Sequence, residues 1–378
     1  MVNGNKINIL HLVLSLETGG LERIVAESAL AIDKDIFNVE VCCIDRLGEF
    51  TDLLSRSAIN VSLLEKNQAH YDYFYPFRLR KFLLEKNIQV LHLHSGTFFL
   101  GTQAGILART PVIVYTDHGR HLFETKMQLF TDRFSGYFVD RIVAVSNELE
   151  YYLINNIKLP KNKITSIING INIDEYFYRE KPLSLLREFC IEQKDKVIGT
   201  VGRLAEVKDQ ITLLEAFSVV HQRIPNTVLL LVGNGPMKNE LINKIIELNL
   251  NDCVEITGNR NDVSALLNIF DIFVLSSLSE GTSVALLEAM SSGIAPIVTN
   301  VGGNPSIVEN NINGVLINPK NVDELAENLI SLLQNDERRL TYGRNASQKV
   351  REKFSIANMV KIYENMYLSL LKEKKGDS

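Results

Sequence analysis

The sequence predicts an α/β protein built from two doubly wound, Rossmann-like domains. Three observations carry that reading. The chain has 378 residues, against roughly 100–200 residues per domain. Short β-branched runs alternate with helix-period stretches almost throughout. The alternation weakens once, between 169 and 182, in a polar and aromatic stretch ending at Pro182, and then restarts. The composition is 46% hydrophobic and 22% charged, enough apolar material for a sizeable core and unlike a disordered chain. A formal net charge of -5 excludes the whole molecule as an electrostatic nucleic-acid binder.

The first strand, 7–14, is short, lacks a basic leader and runs into Glu17, so it reads as a buried strand and not as a signal peptide. Strands follow at 38–44, 89–94, 111–115, 141–145 and 164–168, with helices at 21–32, 76–86 and 147–155. This β-then-α order predicts right-handed crossovers and a parallel sheet covered on both faces. After the interruption come strands at 197–201, 228–232, 254–257, 272–275 and 295–298, and helices at 211–222, 237–249 and 284–291. The tail, 355–371, is a long helix with apolar Ile356, Met359, Val360, Ile362, Tyr363, Met366 and Leu370, followed by a charged, frayed end at 372–375. The expected domains are 1–180 and 181–356, with 357–378 packing back on the first. No segment reaches the ~18 apolar residues of a membrane helix. Cys42, Cys43, Cys190 and Cys253 form no C-x-x-C pair and read as buried reduced thiols, which fits a cytoplasmic protein.

Open α/β sheets bind ligands beyond the carboxyl ends of their strands, so chemistry is sought in strand-to-helix loops. In the second half, strand 197–201 ends in Gly202-Arg203-Leu204, and Lys208-Asp209 follows. Arg and Lys on one loop can clamp a diphosphate, and Asp209 can cap the next helix; an ordinary charged loop is the plainer reading. Gly233-Asn234-Gly235-Pro236 allows a tight turn but is neither a P-loop nor G-x-G-x-x-G. The informative segment is Ser279-Glu280-Gly281-Thr282-Ser283-Val284-Ala285-Leu286-Leu287-Glu288. Glu280 stands in the loop, Thr282 or Ser283 can cap the helix, and the free N–H groups at its start suit a phosphate. Glu288, further along, could accept hydrogen bonds from a ribose diol. An isolated E-x(7)-E pair is more often two surface carboxylates.

Taken together these pieces resemble the family 4 retaining glycosyltransferases of the GT-B fold. The matching segments are Val201-Gly202-Arg203-Leu204 with Lys208-Asp209, Leu231-Val232-Gly233-Asn234-Gly235-Pro236, Gly258-Asn259-Arg260-Asn261-Asp262-Val263, the Glu280–Glu288 motif and Gly302-Gly303. The resemblance implies two domains facing a central cleft, with Arg203 and Lys208 on the diphosphate, Glu280 on the donor sugar, Glu288 on the ribose, and the base near Asn259 and Arg260. Gly233, Gly281, Thr282, Ser283 and Val284 join the donor site on the same ground. Ser283-Val284-Ala285 departs from the Gly-Leu-Pro of many members, so donor preference does not transfer.

In the first half, Gly19-Gly20 lies at a strand-to-helix turn, and the resemblance places it beside the donor phosphates. His118 follows strand 111–115; a lone His is more often structural, but the family commonly has one here, near the reacting sugar. Ser15 to Arg23 resembles transferases of exopolysaccharide synthesis, which implies a glycan or lipid-linked acceptor. The segments 71–86 and 118–138 mix aromatic and basic residues, the latter including Arg120, Lys126 and Arg133. They could lie on an anionic membrane surface as a peripheral contact, or they could bury one face and leave the charges in water.

The expected reaction moves a hexose from a nucleotide diphosphate sugar, UDP-glucose first and GDP-mannose second, to a hydroxyl acceptor. Catalysis falls to His118, Glu280, Arg203 and Lys208. The implied course is front-face attack with the leaving diphosphate stabilised by basic groups and backbone N–H groups. No cofactor and no metal are expected: Asp33-Lys34-Asp35 matches a D-x-D pair but follows a helix, not a strand. Two alternatives stay open, a nucleotide-sugar 2-epimerase and a non-catalytic nucleotide-sugar-binding protein.

Overall fold

The computed structural model describes residues 6–17, 19–65, 72–119 and 125–376. Two compact units emerge, one of residues 1–170 with 356–378 and the other of residues 171–355. The first holds a seven-stranded parallel sheet of β1 (Ile7–Ser15), β2 (Phe37–Arg46), β3 (Asn60–Leu63), β4 (Val90–His94), β5 (Val112–Asp117), β6 (Arg141–Ala144) and β7 (Ile164–Ser166), in the order β3-β2-β1-β4-β5-β6-β7. The second holds β8 (Lys196–Val201), β9 (Thr227–Val232), β10 (Val254–Gly258), β11 (Ile272–Leu275), β12 (Ala295–Thr299) and β13 (Val315–Ile317), ordered β10-β9-β8-β11-β12-β13. Each sheet is therefore doubly wound: its order reverses between the first strand and the fourth. That reversal opens a crevice at the carboxyl edge, where α/β proteins hold ligands.

The central strands are near-continuous apolar runs because helices cover both faces. Leu229, Leu231, Ile272, Val274 and Ile297 form part of the second core, against the helices Gln210–Arg223 and Val322–Gln334. In the first unit, Leu10, Leu12, Leu91, Leu93, Ile113 and Tyr115 point to one side and build the core there. The other side is covered by helix Gly20–Ala31 and the last helix, Ile356–Gly376, which lies in the first unit.

Several details differ from the sequence reading. The stretch 171–180 lies in the second unit, not the first. Ile171 N–H donates to Phe354 O at 2.9 Å, Arg179 N–H to Asn268 Oδ1 at 2.6 Å, and Tyr176 is buried. Those bonds strap a segment whose polar composition suggested a free linker. The helix expected over 147–155 is α-helical at Asn147–Tyr152 and then widens to a π-turn at Leu153–Ile157. Ile362 is exposed, whereas Met359, Val360, Tyr363, Tyr367 and Leu370 form the buried stripe of the last helix. Its charged end stays helical to Gly376, and Lys374 pairs with Asp140 at 2.7 Å. All four thiols are free, but Cys190 is exposed while the other three are buried. Asp33 and Asp35 share a turn in which Asp35 N–H donates to Asp33 Oδ1 at 2.9 Å.

Candidate functional site

The second unit gathers its candidate residues at the β8/β11 crevice. β8 ends at Val201, and Gly202–Leu204 is laced to the loop after β9: Gly202 N–H donates to Val232 O at 2.9 Å, Leu204 N–H to Asn234 O at 3.0 Å and Met237 N–H to Leu204 O at 3.0 Å. Gly233 sits at φ +140, and a Cβ there would meet Gly202 O at 2.0 Å, so this pair of loops requires glycine. Arg203 projects from the laced loop, exposed and with no ion pair among the described residues.

The next turn, Glu206–Lys208, is stitched to the end of β11. Leu278 N–H donates to Val207 O at 2.8 Å, and Ser276 Oγ donates to Lys208 O at 2.9 Å. These bonds bring Lys208 Nζ to Glu280 Oε1 at 2.5 Å, and Ser277 Oγ donates to the same oxygen at 2.6 Å. The Glu280 side chain is 7% exposed and that of Lys208 24%, so the ammonium offsets the cost of burying the carboxylate. Both bonds fall on Oε1. Gly302 supports the loop from below: it lies at φ +57, and a Cβ would stand 1.8 Å from Glu280 O. Gly303 N–H donates to Gly281 O at 3.0 Å.

Helix Val284–Ser291 begins beside this carboxylate. Ser283, not Thr282, is its cap: Ser283 Oγ accepts from Leu286 N–H at 3.3 Å, and Ser283 O from Leu287 N–H at 3.3 Å. The N–H groups of Val284 and Ala285 have no intrahelical acceptor and carry the positive end of the helix. Glu288 is buried on this helix, one helical turn and more beyond the cap. Asp209 does not cap as expected. It takes the left-handed conformation at φ 47, and its carboxylate accepts from the Thr212 hydroxyl at 2.8 Å instead of a backbone N–H. Arg260 is bound by Glu188, at the end of helix Leu183–Glu188, at 2.5 Å and by Asp262 of its own loop at 2.8 Å, so its guanidinium is already committed, while Asn259 is exposed.

In the first unit, Gly19 precedes helix Gly20–Ala31, and its carbonyl accepts from Arg23 N–H at 3.0 Å. Thr18, between β1 and this pair, and Arg120 lie outside the described residues. His118 is half-buried just past β5. Its N–H donates to Ser95 Oγ at 2.9 Å, and its Nε2 lies 3.0 Å from His94 Nδ1.

His118 is one of four histidines on a single sheet face. Parallel register pairs His11 with His92 and His94 with Thr116, and side chains two apart share a face. His94 Nε2 lies 3.0 Å from His11 Nδ1. His92 lies 2.6 Å from Tyr367 OH and 2.7 Å from Thr116 Oγ1, which in turn reaches Tyr363 OH at 3.2 Å. The group lines a cavity of about 20 Å³ with Ile24, Ile32 and Val360. Burial lowers His11 to about 4 and His118 to about 3, and holds His92 and His94 well below the ordinary imidazole value. Sequence reading found His118 but not His11, His92, His94 or Ser277. The period-two spacing of His92-x-His94 and Thr116-x-His118 was the available signal.

Residues 186–349 match the family described as glycosyl transferases group 1, and residues 18–175 match glycosyltransferase family 4. The chain is 28% identical over 397 residues to the UDP-Gal:alpha-D-GlcNAc-diphosphoundecaprenol alpha-1,3-galactosyltransferase of Escherichia coli, covering 98% of this chain and 99% of that one. It is 27% identical to N-acetyl-alpha-D-glucosaminyl L-malate synthase of Bacillus anthracis over 81% of each. Among solved structures it resembles Anabaena HepE in complex with UDP-glucose, with a TM-score of 0.86, 22% identity and coverage of 96% of this chain and 100% of that one. The two family matches together span most of both units: the chain belongs to the family 4 glycosyltransferases and has the GT-B fold.

Proposed function

We propose that the chain transfers a hexose from a UDP-hexose to a hydroxyl of a lipid-linked glycan, with the anomeric configuration retained and without a divalent metal. The observation that carries this reading is the convergence, at one strand-end crevice, of Lys208, Glu280, Arg203 and the start of helix Val284–Ser291. A diphosphate needs positive charge and N–H donors; Arg203, Lys208 and the Val284 and Ala285 amides supply both. A hexose needs oriented acceptors, and Glu280 Oε2 is one held in place by its partner oxygen. Glu288 is assigned to the ribose, Gly19 and Gly20 to the donor phosphates, and His118 to the transferred sugar.

The chemistry follows from those parts. As the glycosidic bond to the diphosphate lengthens, charge builds on the leaving oxygens. Fixed donors in a partly buried crevice stabilise it without reorganising. The acceptor hydroxyl then attacks from the same face, its proton passing to the departing phosphate. Two cations already near the diphosphate make a metal ion unnecessary for charge neutralisation. UDP-glucose is the first donor to test, supported by the HepE complex. UDP-galactose, the donor in the E. coli relative's name, and GDP-mannose complete the panel.

The acceptor side draws on an exposed stripe of the first unit. Along helix Lys126–Phe138, Met127, Phe130, Phe134 and Tyr137 are all exposed, and only Ser135 and Gly136 are buried. The helix thus turns its apolar face outward, near exposed Lys126 and Arg133, as a surface lying on anionic lipid would. The test is a thermal-shift and turnover screen against the three donors. A saturating donor at a hundredfold excess over its dissociation constant stabilises by ~2.7 kcal/mol. Lys208→Ala and Glu280→Ala should each abolish most of that shift and lower turnover at least a hundredfold. Unchanged turnover in Glu280→Ala, or epimerised donor in the absence of acceptor, overturns the reading.

A further inference from the structure

The imidazoles of the first unit form an ordered chain, and its order has a chemical consequence. His94 spends both ring nitrogens on neighbouring imidazoles, Nδ1 on His118 Nε2 and Nε2 on His11 Nδ1, each at 3.0 Å. A neutral imidazole has one N–H and one bare nitrogen, so each contact must pair one of each. His94 takes part in both, and the position of its proton therefore sets the other two. Two neutral orders satisfy both contacts. In the inward order the N–H groups run from His118 to His94 to His11, and His118 Nδ1 is a bare acceptor. In the outward order they run the other way, and His118 Nδ1 carries the proton.

One fact chooses between them. His118 Nδ1 is buried and has no hydrogen-bond partner among the described residues; an orphaned buried N–H is rarer than an unpaired acceptor. The surroundings also hold the chain neutral. The groups facing it are His92 from β4, Thr116 from β5, Tyr363 and Tyr367 from the last helix, and Ser28 from helix Gly20–Ala31, none of them a carboxylate. A protonated His94 would have no anion to pair with, and burial lowers its basicity further.

We infer that His94, backed by His11, is a positioning residue that holds His118 as its Nε2–H tautomer and keeps His118 Nδ1 as the acceptor for a hydroxyl of the bound sugar. The functional half rests on the assignment of His118 to the sugar given above. The tautomer half does not. His11, His92 and His94 also offer nitrogens within 4.8 Å of one another, a spacing open to a metal ion. Both nitrogens of His94 and both of His92 are already in hydrogen bonds, so an ion would have to displace them. The intact hydrogen-bond chain favours the tautomer lock.

Side-chain 15N NMR of the full chain tests it directly, alongside zinc content and turnover of UDP-glucose. His118 should carry its proton on Nε2 from pH 5 to pH 8. His94→Leu should release His118 into a mixture of tautomers and lower kcat/KM about tenfold. His94→Asn, which restores an oxygen acceptor near the place of Nδ1, should recover a single tautomer and most of the rate. A proton on His118 Nδ1 in the parent chain, a tautomer unaffected by His94→Leu, or one zinc per chain in the purified protein overturns the inference. If the lock behaves as stated but His118→Ala leaves turnover unchanged, the lock stands and the assignment of His118 to the sugar falls.

Discussion

Lowering the pH from 7 to 5 should destabilise the first unit by about 4 kcal/mol through His11 and His118 alone. Burial depresses these imidazoles to about 4 and about 3, against 6.5 for an ordinary histidine. Between those values the unfolded chain binds protons that the folded chain refuses, so stability rises with pH. The contribution is fully present above 6.5 and drains away as the pH falls toward the folded values. From pH 7 to pH 5 each group loses about 2 kcal/mol, because its unfolded form passes from mostly neutral to mostly charged. His92 and His94 are shifted in the same direction and deepen the fall. Glu22, raised by burial, acts in the opposite sense, so the comparison is made against a variant. Urea unfolding at pH 7, 6 and 5, read by a brief protease pulse and mass spectrometry of peptides from β1 and β4, isolates the first unit. His118→Gln should remove about 2 kcal/mol of the pH dependence. A midpoint that does not move between pH 7 and 5, or a slope identical in His118→Gln, would refute the account of a neutral buried array.

Gly302→Ala should be destabilising by about 2 kcal/mol and abolish the donor-induced thermal shift, since its Cβ would meet Glu280 O at 1.8 Å in a left-handed backbone; calorimetry with and without UDP-glucose checks both effects. Ser283→Ala removes the cap of helix Val284–Ser291 and should cost about 1 kcal/mol, seen as an earlier urea midpoint of the second unit. EDTA should leave turnover within twofold, measured in metal-stripped buffer. Phe130→Ser with Tyr137→Ser should weaken co-sedimentation with anionic liposomes while leaving turnover of a water-soluble acceptor unchanged; liposome binding that is absent in the parent chain at low salt removes the membrane contact.

The alternation of β-branched runs with helix-period stretches was enough to place the central strands, because a strand buried on both faces is mostly apolar even where, as in β1 and β4, it carries buried histidines. β11 and helix Val284–Ser291 begin and end where the pattern puts them. The edges were less legible. β3 and β13 are only four and three residues long, too short to carry a periodic signal, and were not read as strands. The segment 171–182 looked like a linker because polarity is a local property, whereas its attachment to Asn268 and Asp271 is made by residues about ninety positions away.

By itself the sequence determined the fold class, the family and the small set of loop residues at strand ends, since motif order and strand-to-helix rhythm are carried by neighbours in the chain. Only the tertiary structure decided how those residues are spent. It joined Lys208 to Glu280 and Ser277 across the crevice, committed Arg260 to Glu188 and Asp262, and stacked His11, His92, His94 and His118 on one sheet face. Charge pairing and tautomer are set by what lies within about 3 Å, and in a parallel sheet those partners come from strands far apart in sequence.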